Sequence, residues 1–106
     1  MNPVTIAELK RLGANFNKIH RIVNVFYSNS EESTKALSEG LKKNSFSDFE
    51  FEELASAEDG NSNSLECVKS IVPELDTINK MTDMCVRLAL ENDCDYDGWY
   101  TEPVMD

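Results

Sequence analysis

Asp48-Phe49-Glu50-Phe51-Glu52-Glu53-Leu54 is the stretch from which the fold of this 106-residue chain can be read. Phe49 and Phe51 alternate with Asp48, Glu50 and Glu52. That period of two belongs to a strand with one side against a core and the other in water. The acidic side of the strand is then either the solvated face of an edge strand, where charge discourages further sheet pairing, or a surface offered to a partner.

Downstream, Ser56 to Ser64 contains Glu58-Asp59-Gly60-Asn61, a run of turn-forming residues that reads as a loop. Leu65 to Val72 follows as a strand, with Leu65, Cys67 and Ile71 against Val68 and Val72, so the two strands form a hairpin. Pro73 fits the first turn of a helix, with Glu74 and Asp76 favourable at its positive end. Leu75, Ile78, Met81, Cys85, Leu88 and Ala89 recur at spacings of three and four, an amphipathic helix that ends near Asn92. Tyr96 to Thr101 has room for a short last strand.

Upstream of the quoted stretch, Ser28-Asn29-Ser30-Glu31 fits a capping box and opens a helix that runs to about Lys43. Its stripe of Ala36, Leu37, Gly40 and Leu41 is narrow, and Phe46 is expected to fold back beneath its end. Ile19 to Tyr27 reads as a strand with Val23, Val25 and Tyr27 on one face and Ile22 and Phe26 on the other. Apolar residues on both faces predict a central strand, covered at least in part on both sides. A short helix from Thr5 to Leu12 comes first, with Thr5 and Glu8 as a capping box, Ile6 and Leu9 on one face and Gly13 as its stop.

The order is helix, then strand-helix-strand-strand-helix-strand. It predicts an α+β, ferredoxin-like split βαββαβ sandwich with a four-stranded antiparallel sheet and a short extra N-terminal helix. The chain fits a single domain over 1–106, with the N-terminal helix in 1–13 and the βαββαβ core in 19–104. Periodicity leaves open a different strand order for the same elements.

Twenty Asp and Glu against ten Lys and Arg give a formal charge of −10. Nucleic-acid binding draws its affinity from cations on phosphates, so direct RNA or DNA binding is not expected. Anionic membranes are disfavoured for the same reason. A basic protein partner complements such a surface; the alternative is that acidity serves solubility alone. Cys67, Cys85 and Cys94 show no CxxC spacing and leave one unpaired, which argues for a reducing compartment. With no visible signal peptide and no apolar run of about 18 residues, the expected location is the cytoplasm.

No catalytic set is visible. His20, the one histidine, is expected as a solvent-facing or edge residue, and the cysteines as small hydrophobes. Asp93, Asp95 and Asp97 alternate faintly like a calcium loop, but the twelfth position is Val104 where a Glu ligand belongs. No cofactor, metal or phosphate loop is expected. The candidate partner-binding residues are Asp48, Glu50, Glu52 and Glu53 with Glu58 and Asp59 of the loop. Tyr96-Asp97-Gly98-Trp99 has two readings: a lid on the core in which Gly98 permits a bulge, or an interface anchor.

That last segment, preceded by Asp95 and followed by Thr101-Glu102, resembles the terminal signature of the RraB (regulator of ribonuclease activity B) family. Leu12-Gly13 before the first strand, Glu31-Glu32 at the next helix, and Val72-Pro73 before the helix containing Ile78 are similar too. The resemblance runs from about Leu9 to Val104. It implies a ferredoxin-like sandwich, no catalysis, and a structural role for Asp95, Tyr96, Asp97, Gly98 and Trp99. It further implies binding to the endoribonuclease RNase E or another ribonuclease. The founding member binds an arginine-rich scaffold region of that enzyme and lowers RNA cleavage. It carries a long acidic C-terminal tail, whereas this sequence ends at Asp106. An immunity-type inhibitor of a basic toxin nuclease is the alternative, since it would use the same electrostatics.

Overall fold

The structure is a computed structural model that describes residues 2–53 and 63–105, with the side chains of Asn2 and Pro3 left aside. Within them the elements are α1 (Asn2–Arg11), β1 (His20–Ser28), α2 (Glu31–Lys43), β2 (Ser47–Glu53), β3 (Asn63–Ile71), α3 (Leu75–Glu91) and β4 (Asp95–Tyr100). Leu54, Glu58 and Asp59 lie outside the described residues.

The strands form an antiparallel sheet in the order β2-β3-β1-β4. Read from the other edge this is 4-1-3-2, the order of the ferredoxin-like sandwich, and it decides between the topologies that periodicity left open. β1 is central and pairs with β3 without interruption from His20–Ile71 to Ser28–Asn63. The expected hairpin of β2 and β3 is present.

One face of the sheet carries the core. Ile22 and Phe26 of β1 and Leu65 and Cys67 of β3 pack against Leu37 and Leu41 of α2, with Ile78, Met81, Cys85 and Leu88 of α3 completing the cluster. Ile6 joins it from α1. Phe46 is buried at the end of α2, as its position after the helix suggested. Among the described residues no helix packs on the other face, so within them β1 has helices on one side only. Val23, Val25 and Tyr27 are half-buried there by neighbours on adjacent strands, and Val68 of β3 is buried on that same open side.

The helix starts differ from the expected ones. α1 begins at Asn2, so Thr5 sits inside the helix and not at its cap. Its end is as read: Gly13 takes φ 88, and its N–H and that of Ala14 bond to the carbonyls of Lys10 and Leu9 at 3.0 and 3.1 Å. α2 is capped by Ser30, whose side chain accepts from the Ser33 N–H at 3.3 Å. The Ser28-to-Glu31 pattern predicts a cap at Ser28, but β1 continues through that residue. Its buried hydroxyl bonds instead to Thr34 Oγ1 at 2.6 Å. α3 begins after Glu74, leaving the fully buried Pro73 outside its first turn.

His20 corrects a further expectation. It lies fully buried at the start of β1, and its Nε2 accepts the Val104 N–H at 3.0 Å while Nδ1 is 3.0 Å from the Lys18 carbonyl. With Nε2 accepting, Nδ1 is the donor to the Lys18 carbonyl. The partner lies 84 positions away, which local sequence could not reveal.

Candidate protein-binding face

Strand register assembles the open face. Antiparallel partners share a face, and Glu50 of β2 stands opposite Glu66 of β3, which stands opposite Val25 of β1, which stands opposite Gly98 of β4. The next row runs Glu52, Ser64, Tyr27 and Asp95. Val68, Val23 and Tyr100 continue the surface on the other side. The result is an apolar strip of valines bordered by carboxylates from three strands.

Tyr100, about half exposed, donates to Glu66 Oε1 at 2.8 Å. The Glu66 carboxylate, by accepting this bond, pushes the phenol above its ordinary pKa; burial and the charges of Glu66 and Glu50 act in the same direction. Arg21 pairs with Asp48 at the rim. Asp48 has φ 53, where the register against β3 slips by one residue between Ser47 and Glu50. Among the described residues neither Glu50 nor Glu52 is in an ion pair. A face built this way attracts cations and supplies apolar contact beneath them.

The candidate residues therefore separate. Glu50 and Glu52 lie on the open face, and Asp48 lies at its rim in an ion pair. Glu53 stands opposite the buried Asn63, on the helix side of the sheet. Glu66, Tyr100 and Asp95 join Glu50 and Glu52 from other strands. Glu66 carried a local signal, alternating with Leu65 and Cys67, but its convergence with β2 needed the register.

The segment Asp95 to Trp99 forms β4. Tyr96 turns to the core: its ring centroid is 5.1 Å from that of Phe26, and its hydroxyl donates to Asn24 Oδ1 at 2.7 Å. Asn24, fully buried, also meets the Met81 and Cys85 sulfurs at 3.5 and 3.6 Å. Burial pushes the Tyr96 phenol far up, and it pushes the thiols of Cys67 and Cys85 up to about 12. These are inert groups at neutral pH. Trp99 stands opposite Asn24 and packs, partly buried, against the core. Gly98 takes φ 119 where β4 slips one residue against β1, and Asp97 is the extra, exposed residue. Among the described residues, no three of His, Cys, Asp and Glu gather as metal ligands.

The family model described as regulator of ribonuclease activity B matches residues 1–101. The chain belongs to that family. Nearly the whole RraB-type fold seen here falls within the match, from α1 through the end of β4. The family is one of regulators of ribonuclease activity. No curated protein matches the chain, and among the described residues no helix is long and apolar enough to cross a membrane.

Proposed function

We propose that this RraB-family protein regulates a ribonuclease by binding a basic protein segment, without catalysing a reaction itself. The observation that carries the reading is the uncovered sheet face, where Glu50, Glu52 and Glu66 stand on adjacent strands beside a valine strip. The family supplies the ribonuclease context, and the charge of −10 supplies long-range attraction for a cationic partner. The resemblance to the founding member points to the arginine-rich scaffold of RNase E as the first partner to try. The three free, buried thiols suit the reducing cytoplasm.

The test is fluorescence anisotropy of a labelled RNase E scaffold segment titrated with the protein. Binding is expected at low salt and should weaken as the Debye length falls towards ~8 Å. Glu50→Lys with Glu52→Lys should leave the thermal midpoint nearly unchanged, because both side chains are exposed, and should slow association. Binding that ignores salt and survives this double substitution would remove the reading.

A further inference from the structure

β2 is an edge strand: among the described residues only β3 pairs with it. On its helix side, a groove of about 230 Å³ opens between β2 and α2, lined by Phe49, Phe51 and Leu65 from the sheet and by Lys35 and Lys42 from the helix. Phe51 is half exposed there, although it stands opposite the buried Leu65. α2 buries only Thr34, Leu37 and Leu41, a stripe too narrow to reach across β2. On the opposite side of the same strand stand Glu50 and Glu52. The edge thus presents an apolar groove at Phe51 on one face and Glu50 and Glu52 on the other, with Glu53 following on the groove side.

We propose that this groove and the free edge of β2 together take an extended segment of the partner, one alternating large apolar with basic residues, which adds to the sheet beside β2. The inference rests on the basic-partner reading above and specifies how that partner is held. A strand added at ~4.8 Å sends successive side chains to opposite faces. Residues on the helix side enter the groove beside Phe51, and those on the open side meet Glu50 and Glu52 as cross-strand neighbours. Phe49, Phe51 and Leu65 favour an apolar side chain in the groove, and Lys42 disfavours a basic one; Lys35 is paired at 3.9 Å with Glu31, which also lines the groove, so apolar contact sets the preferred phase of the alternation. The groove is smaller than the ~300–1,000 Å³ typical of sites for whole small molecules, and it suits a single large side chain.

A second copy of this chain fits poorly. Pairing two β2 edges brings Glu50 and Glu52 of each copy close to those of the other, and like charges across a strand pair are unfavourable. The register slip before Glu50 leaves Glu50–Glu53 as the regular edge among the described residues, a short stretch that suits a reversible regulator.

The experiment uses the full chain with two synthetic hexapeptides of equal composition, one alternating Arg and Leu and the other with three Arg followed by three Leu. We expect the alternating peptide to bind at least about tenfold more tightly, to shift the backbone amides of Glu50–Glu53, and to lose binding when N-methylated along one edge but not along the other. Phe51→Ser should weaken it about tenfold with the circular dichroism unchanged. If both peptides bind alike, respond to salt and are lost in the Glu50→Lys, Glu52→Lys protein, strand addition is wrong while the basic-partner reading stands. If neither binds at low salt, both fall. A dimer that protects the β2 amides in the absence of peptide assigns the edge to a second copy and overturns the proposal.

Discussion

The imidazole of His20 and the backbone amide of Val104 are joined by a hydrogen bond of 3.0 Å that ties the start of the central strand to the segment beyond the last one. Three further bonds hold that segment: the Asn15 N–H donates to the Val104 carbonyl at 2.7 Å, Lys18 Nζ donates to the Met105 carbonyl at 3.2 Å, and Thr101 Oγ1 donates to the Arg21 carbonyl at 2.8 Å. His20→Ala removes a buried ring together with the acceptor of the Val104 N–H. The expected loss is ~2–4 kcal/mol by urea unfolding. Amide exchange at Val104 should accelerate by more than the global loss accounts for.

Tyr96→Phe tests the polar knot in the core. The substitution keeps the contact with Phe26 and deletes only the hydroxyl that donates to Asn24 Oδ1. A loss of ~1–2 kcal/mol is expected, with native near-ultraviolet dichroism retained. A neutral result would mean that the Cys85 thiol, 3.6 Å from the same oxygen, satisfies it unaided.

Alkaline pH should unfold the protein through its buried acids. The folded-state pKa values of Cys67 and Cys85 are pushed up by burial to about 12, and that of Tyr96 is pushed further. Each group therefore holds its proton more tightly when folded. Its stabilisation is complete below the unfolded pKa, near 9 for the thiols, and is lost as pH rises towards the folded value. Between these limits each thiol adds a slope of up to ~1.4 kcal/mol per pH unit. Cys67→Ala with Cys85→Ala should flatten the stability curve from pH ~9 to ~12, whatever it does to the plateau.

Gly98→Ala and Trp99→Ala separate backbone from packing in β4. An added Cβ at Gly98 meets nothing within 4 Å, yet φ 119 is a conformation L residues avoid. A cost of ~1–3 kcal/mol from strain alone is expected. Trp99 packs on the core but is only partly buried, so its truncation should cost ~2–4 kcal/mol, below or within the range for a fully buried ring. Chemical denaturation reads both.

Local pattern made much of this legible. The alternation of Glu50, Phe51 and Glu52 and the spacing of Ile78, Met81, Cys85 and Leu88 were readable because each element's own period of two or 3.6 marks its buried side. Features that depend on another strand were not. The bulges at Asp48 and Asp97 exist only relative to β3 and β1, and no residue type announces a one-residue slip. His20 looked solvent-facing because its partner is the Val104 amide, a group every residue but proline possesses. The acidic surface was seen as a ridge on β2; it is a face because Glu66 and Asp95 arrive from β3 and β4. Asn24, between Ile22 and Phe26 on the core side, reads as an interruption until Tyr96 appears 72 positions later.

The central place of β1 has a consequence for synthesis on the ribosome. The strand emerges early, yet one of its two neighbours is β4, the last element. Until Asp95–Tyr100 clear the exit tunnel, β1 waits with one side unpaired, and Phe26 lacks the ring of Tyr96. The β2–β3 hairpin can close while the chain is still being made. Completion of the sheet is therefore a late, long-range step, and slowed translation through the codons of β4 should prolong the interval in which the nascent chain is open to chaperones and proteases.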